Sequence, residues 1–156
     1  MVILIDRYGS HQCYWETRYQ RFQQILELAD VLEKINEVRY YTYPLYSWQL
    51  SKYFLYHAFI VFKTENWWWS IERDGRGVTI QRSTQLETVR DQCQRRNRLL
   101  GGTSRIDLVK KVPDPINITV NELINRLFKE DRMNLDYKEK NGKHFANFIY
   151  NKIFSP

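Results

Sequence analysis

His57 opens the apolar run Tyr56-His57-Ala58-Phe59-Ile60-Val61-Phe62. An imidazole titrates near neutral pH, so a histidine at the start of a strand is either a hydrogen-bonded strand-end residue or a general base. Glu72 and Gln81, on the two runs that follow, are the polar groups that would orient such a ring, and each read alone is a solvated strand position. The other route to chemistry is a thiol. Cys13 stands two residues after His11, but a His-x-Cys pair in a loop does not by itself make a nucleophile. One bridge between Cys13 and Cys93 is conceivable, yet a chain of this size has no need of it, and both are read as free thiols. The three histidines, His11, His57 and His144, are scattered and show no zinc-ligand spacing, so neither a metal nor another cofactor is expected.

Two further groups could bind rather than react. In Trp67-Trp68-Trp69, strand alternation sends neighbours to opposite faces. Core packing is the default for two of them. The third is either covered, or free to stack on a base, sit at a membrane interface or line a substrate groove. The basic positions Arg82, Arg90, Arg95, Arg96, Arg98, Arg105, Lys110 and Lys111 are broken only by Glu87, Asp91 and Asp107. Such a cluster is a solvated face or a track for RNA phosphates or an anionic membrane, and no recognised RNA-binding signature accompanies it.

The elements that must position these groups follow from periodicity. Val2 to Ile5 is a short apolar stretch, and Trp15 to Val38 places Phe22, Ile25, Leu26, Ala29, Leu32 and Ile35 at helical spacing, which predicts a long amphipathic helix. A tyrosine-rich turn around Pro44 leads into Tyr46–Tyr56, a possible second helix. Three strand-like runs follow, His57–Thr64, Trp67–Glu72 and Val78–Arg82, the last two joined by a hairpin over Arg73-Asp74-Gly75-Arg76-Gly77. Thr84–Arg98 reads as a polar surface helix stopped by Gly101-Gly102, and Ile106, Leu108 and Val109 as one more strand. Thr119 with Glu122 is a capping box opening a helix through Leu123, Ile124, Leu127 and Phe128. A last helix starts near Asn141 and carries Phe145, Ala146, Phe148, Ile149 and Ile153. The fold class is α+β, a small antiparallel sheet with packed helices, in one domain of 156 residues with a helical part (1–55) and a second part (56–156). A hydrophobic fraction of 43% and an aromatic fraction of 15% exclude disorder, while a formal charge of +6 favours phosphate-rich partners. The longest apolar runs fall far short of the roughly 20 residues needed to span a bilayer, so a soluble cytoplasmic protein is expected.

The run Tyr56–Phe62, together with Asn141-Gly142-Lys143-His144-Phe145-Ala146-Asn147-Phe148, resembles the permuted papain-like thiol enzymes, the group that includes lecithin:retinol acyltransferase-like proteins, PPPDE peptidases and viral 2A proteins with an H-box and an Asn-Cys motif. In that group a strand histidine comes first and an Asn-Cys-x-x-Phe helix start follows. The resemblance covers about His57 to Phe154. It implies acyl transfer to a thiol at the helix start, with His57 as general base, Glu72 or Gln81 orienting it, and backbone N–H groups holding the oxyanion. Here the nucleophile position is Gly142, which has no side chain. Through natural loss or replacement of a cysteine, the polypeptide as written is expected to be catalytically silent.

Two readings therefore stand: a silent papain-like hydrolase or acyltransferase domain, with a protein or acyl substrate as partner, and a non-enzymatic basic effector that engages RNA or a protein through Trp67–Trp69 and Arg90, Arg95, Arg96 and Arg98.

Overall fold

β-Branched and aromatic side chains fit a pleated surface, and the runs that carry them become strands. The computed structural model describes residues 2–5, 11–16, 32–44, 56–74, 77–99, 105–113, 117–129 and 142–154, the first two stretches as backbone only. Seven strands form one antiparallel sheet: β1 (Val2–Ile5), β2 (His11–Glu16), β3 (Glu37–Pro44), β4 (Tyr56–Lys63), β5 (Trp68–Asp74), β6 (Gly77–Ser83) and β9 (Asp107–Val112). Their order is β1-β2-β6-β5-β4-β3-β9. The short strands β7 (Gln92–Cys93) and β8 (Arg96–Asn97) make a separate two-stranded ladder. Helices α1 (Leu86–Asp91), α2 (Val120–Lys129) and α3 (Gly142–Phe154) complete the α+β architecture.

The hairpin between β5 and β6 forms as expected, with Asp74 opposite Gly77. The capping box does too. Thr119 Oγ1 accepts from the Glu122 backbone N–H at 3.1 Å, and the Thr119 N–H donates to Glu122 Oε2 at 2.7 Å. The N-terminal helix does not stand at either of its ends. Trp15 and Glu16 belong to β2, Leu32 to Asn36 are non-helical, and Glu37-Val38 begins β3; the middle of that prediction lies outside the described residues. The alternating Arg39-Tyr40-Tyr41-Thr42-Tyr43 carries strong β-propensity and pairs with β4 on one side and β9 on the other, so the supposed tyrosine-rich turn is a strand and the 1–55 part contributes to the same sheet. Of the second helix, only Tyr56 is described, and it opens β4. The surface helix over Thr84–Arg98 shrinks to α1, because the chain then turns through Gln94 and Arg95 at positive φ (50° and 64°) to form the β7–β8 hairpin.

β4 is paired along both edges and has helices packed on both faces, so its buried run Ala58–Phe62 divides by parity. Ala58, Ile60 and Phe62 join Val38, Tyr40, Trp69, Ile71, Val78 and Ile80 under Leu123 and Ile124 of α2 and Phe145, Ala146, Ile149 and Ile153 of α3. Phe59 and Val61 turn the other way and join Tyr41 under Val89 of α1, rimmed by Tyr43, Trp68, Leu86 and Ile106. The chain before β3 is tied to the start of α2, since the Ile35 N–H donates to the Ile118 carbonyl at 3.0 Å and the Val120 N–H to the Glu33 carbonyl at 3.2 Å. Among the described residues, no helix is long and apolar enough to cross a membrane.

Candidate functional site

Parity along β4 decides what His57 can do. Its ring turns to the α1 face, 5.2 Å centroid to centroid from Tyr43, and its Nε2–H donates to Glu72 Oε2 at 3.2 Å. The other Glu72 oxygen is ion-paired with Arg98, whose side chain is fully buried, and the guanidinium lies 3.9 Å from the centre of the Phe59 ring. Arg98 also donates to the carbonyls of Arg90 (2.9 Å) and Val89 (3.2 Å), which pins the β7–β8 hairpin onto α1. Burial would raise the Glu72 carboxyl, but the Arg98 charge and the His57 hydrogen bond overcome it and hold it down at about 2. Burial likewise opposes the Arg98 charge, and Glu72 more than restores it. Tyr43 is pushed up by burial and by the Glu72 charge.

Glu72 thus hydrogen-bonds His57. Gln81 does not, because its amide donates to the carbonyls of Val89 and Gln92 instead. Nor does the imidazole face the start of α3. Gly142 opens the helix that packs on the opposite face of the sheet, so the expected meeting of His57 with the nucleophile position is not built. The two motifs still come close through their neighbours, with Lys143 Nζ 5.0 Å from the centre of the Tyr56 ring. His144 is exposed on α3. Cys93 is half-buried on β7, and the side chain of Cys13 lies outside the described residues.

The expected basic face is broken up. Arg98 and Arg82 are buried, and Arg82 stacks on the rings of Trp67 (4.3 Å) and Trp69 (5.3 Å). Arg90 is clamped by both oxygens of Asp91, and Arg105 pairs with Asp107 at 2.8 Å. Arg95 and Arg96 are exposed on the β7–β8 hairpin. Of the tryptophans, Trp69 is core, stacked on Phe62 at 5.9 Å, and Trp67 is half-buried beside it. Trp68 turns to the α1 face, where Arg39 (4.8 Å) and Lys63 (5.3 Å) lie over its ring. Among the described residues, no three His, Cys, Asp or Glu side chains converge to hold a metal.

What the fold builds in the open is a cleft of about 460 Å³ between β9 and the first turns of α3, lined by Tyr40, Thr42, Tyr56, Val109, Lys110, Lys143 and Asn147. Lys143, Asn147 and Tyr150 recur at helical spacing, so α3 presents them as one stripe. A β-bulge supplies the opposite wall. Tyr40 pairs with Lys110 and Tyr41 with Leu108, which leaves Val109 as the extra residue, and the consecutive Val109 and Lys110 both border the cleft. Lys110 Nζ lies 5.0 Å from the centre of the Tyr150 ring, and that ring meets Tyr40 edge-on at 6.1 Å.

No family model, curated protein or solved structure matches this chain. Burial, with the neighbouring Tyr56, pushes Tyr40 up to about 12, so its hydroxyl stays protonated at neutral pH. Two ammonium groups, two phenols, a hydroxyl and an amide around an open cleft suit a negatively charged guest with hydrogen-bonding groups. Sequence reasoning missed Tyr40, Thr42, Tyr56, Val109, Lys143 and Asn147 as site residues. Tyr40 lies in the segment that reads as a tyrosine-rich turn, and no one-dimensional signal marks a bulge.

Proposed function

We propose that this chain is a catalytically silent binding domain, built on permuted papain-like lines, whose cleft between β9 and α3 holds an anionic group. The papain-like part of the reading is supported by chain order: a histidine strand, a hairpin, and a terminal helix with Gly142 as its first residue. Silence is supported by that glycine, which has no side chain to attack an acyl group. The observation that carries the binding function is the pair Lys110 and Lys143 on opposite walls of one cleft, each resting on a tyrosine ring and, among the described residues, neither paired with a carboxylate. The alternative of a continuous basic track along a polymer is weaker, because Arg82 and Arg98 are buried and Arg90 and Arg105 are held by aspartates.

The test is calorimetric titration with inorganic pyrophosphate at low and at raised salt. Binding that weakens with salt and disappears in Lys110→Gln/Lys143→Gln supports the reading, because exposed charges act through a screened field. Absence of binding at low salt, or binding indifferent to both substitutions, refutes it.

A further inference from the structure

We infer that the guest of the β9–α3 cleft is a nucleoside phosphate, with its phosphate between Lys110 and Lys143 and its base on the Tyr56 ring. The inference rests on the reading of the cleft as an anion site and goes further, because the cleft is larger than an isolated anion needs. At about 460 Å³ it falls in the size range of pockets for organic ligands, roughly 300–1,000 Å³. A bare phosphate satisfied by two lysines would leave Tyr40, Thr42, Val109 and Asn147 lining empty space. A planar ring with a sugar uses them. Thr42 and Asn147 offer a hydroxyl and an amide to ribose or to a base edge, and Tyr40 keeps its proton to donate.

The bulge at Val109 is the second observation. Without the extra residue, strand alternation would send Val109 and Lys110 to opposite faces, and the cleft would lose either its apolar wall or its cation. With it, an apolar side chain and an ammonium stand side by side, which is what a molecule with an apolar ring face next to a charged group requires.

Tyr56 is half-buried, and its open face is covered by Lys143. An exposed lysine–aromatic contact is weaker than the stacking of a base on an aromatic ring, so an arriving base displaces the ammonium from the ring toward the phosphate. Lys143 is then both the lid of the empty platform and the counter-charge of the filled one. No covalent step is involved.

The full chain is titrated by calorimetry with inorganic phosphate, pyrophosphate, adenosine, adenosine monophosphate, and short oligoadenylates with either a 5′-phosphate or a 5′-hydroxyl. Adenosine monophosphate should bind about tenfold or more tighter than inorganic phosphate. Tyr56→Leu should abolish that advantage while phosphate affinity stays, and the exposed Lys143→Gln should weaken both, with circular dichroism reporting that each variant is folded. Tighter binding of the 5′-phosphorylated oligonucleotide than of the monophosphate identifies an RNA end as the source, and equal binding identifies the free nucleotide; either outcome upholds the nucleoside phosphate. Equal affinity for phosphate and monophosphate, or oligonucleotide binding that ignores the terminal phosphate, overturns the inference and leaves the anion site standing. If neither phosphate nor pyrophosphate binds at low salt, the anion site falls with it.

Discussion

Tyr56 and His57 are neighbours on one strand and meet opposite fates. On the α1 face, His57 is buried with Glu72 and Arg98, every member of the cluster held by another. On the α3 face, Tyr56 borders an open cleft whose two lysines rest on aromatic rings. Polar groups engaged by one another in a low-dielectric interior stabilise a structure and have little left to offer a substrate; groups that water still reaches can exchange it for a guest. The residue whose type suggests catalysis therefore serves the scaffold, and the site lies one residue away.

The sharpest way to break this contrast is to remove charge from each face. Glu72→Gln strands the buried Arg98 guanidinium and should cost about 3–5 kcal/mol in urea denaturation, as loss of one partner of a buried pair does. Lys143→Gln, on the exposed cleft, should stay within about 0.5 kcal/mol. Equal losses would mean that the two faces do not differ in this way.

Acid should find the same asymmetry. The folded Glu72 carboxyl is held near 2, below its unfolded value, so its contribution is present at neutral pH and is lost as pH falls from about 4.5 toward 2. A depression of this size corresponds to stability on the order of 3 kcal/mol. A plot of unfolding free energy against pH should drop over this window in the parent chain and flatten in Glu72→Gln; an unchanged slope would remove Glu72 as its cause.

A smaller effect concerns the helix layer over the α3 face. Thr119→Ala removes the hydroxyl that accepts from the Glu122 N–H and should lower stability by about 1 kcal/mol without altering pyrophosphate binding, since α2 does not line the cleft.

The smallest expected effect is a null one. In Gly142→Cys, the new thiol sits in the first turn of α3, and its iodoacetamide alkylation profile should shift to lower pH than that of an ordinary thiol. Adding His57→Ala should leave that profile unchanged, because the imidazole is on the other face. A shift caused by His57→Ala would place the two groups together and restore the thiol–imidazole site.

What the sequence determined by itself is local. The alternating apolar runs of β4, β5 and β6, the hairpin between the last two, the Thr119–Glu122 box and the start of the terminal helix are each encoded within a few residues, where propensity and short-range hydrogen bonds suffice. The contact of Glu72 with His57 is legible in the same way, as two polar positions on successive strands. The tertiary structure decided everything that depends on which face a residue meets. Helical spacing from Phe22 to Ile35 gave no warning that Val38 to Tyr43 would be drawn into the sheet by β4 and β9. Arg98 reads as one more surface charge until a hairpin folds it beneath α1 onto Glu72. The cleft joins residues from β3, β4, β9 and α3, more than 100 positions apart at its extremes, Tyr40 and Asn147, and turns on a single unpaired residue, Val109. Strand pairing and facing come from contacts distant in sequence, and a one-residue change of register inverts them, so no local pattern can specify them.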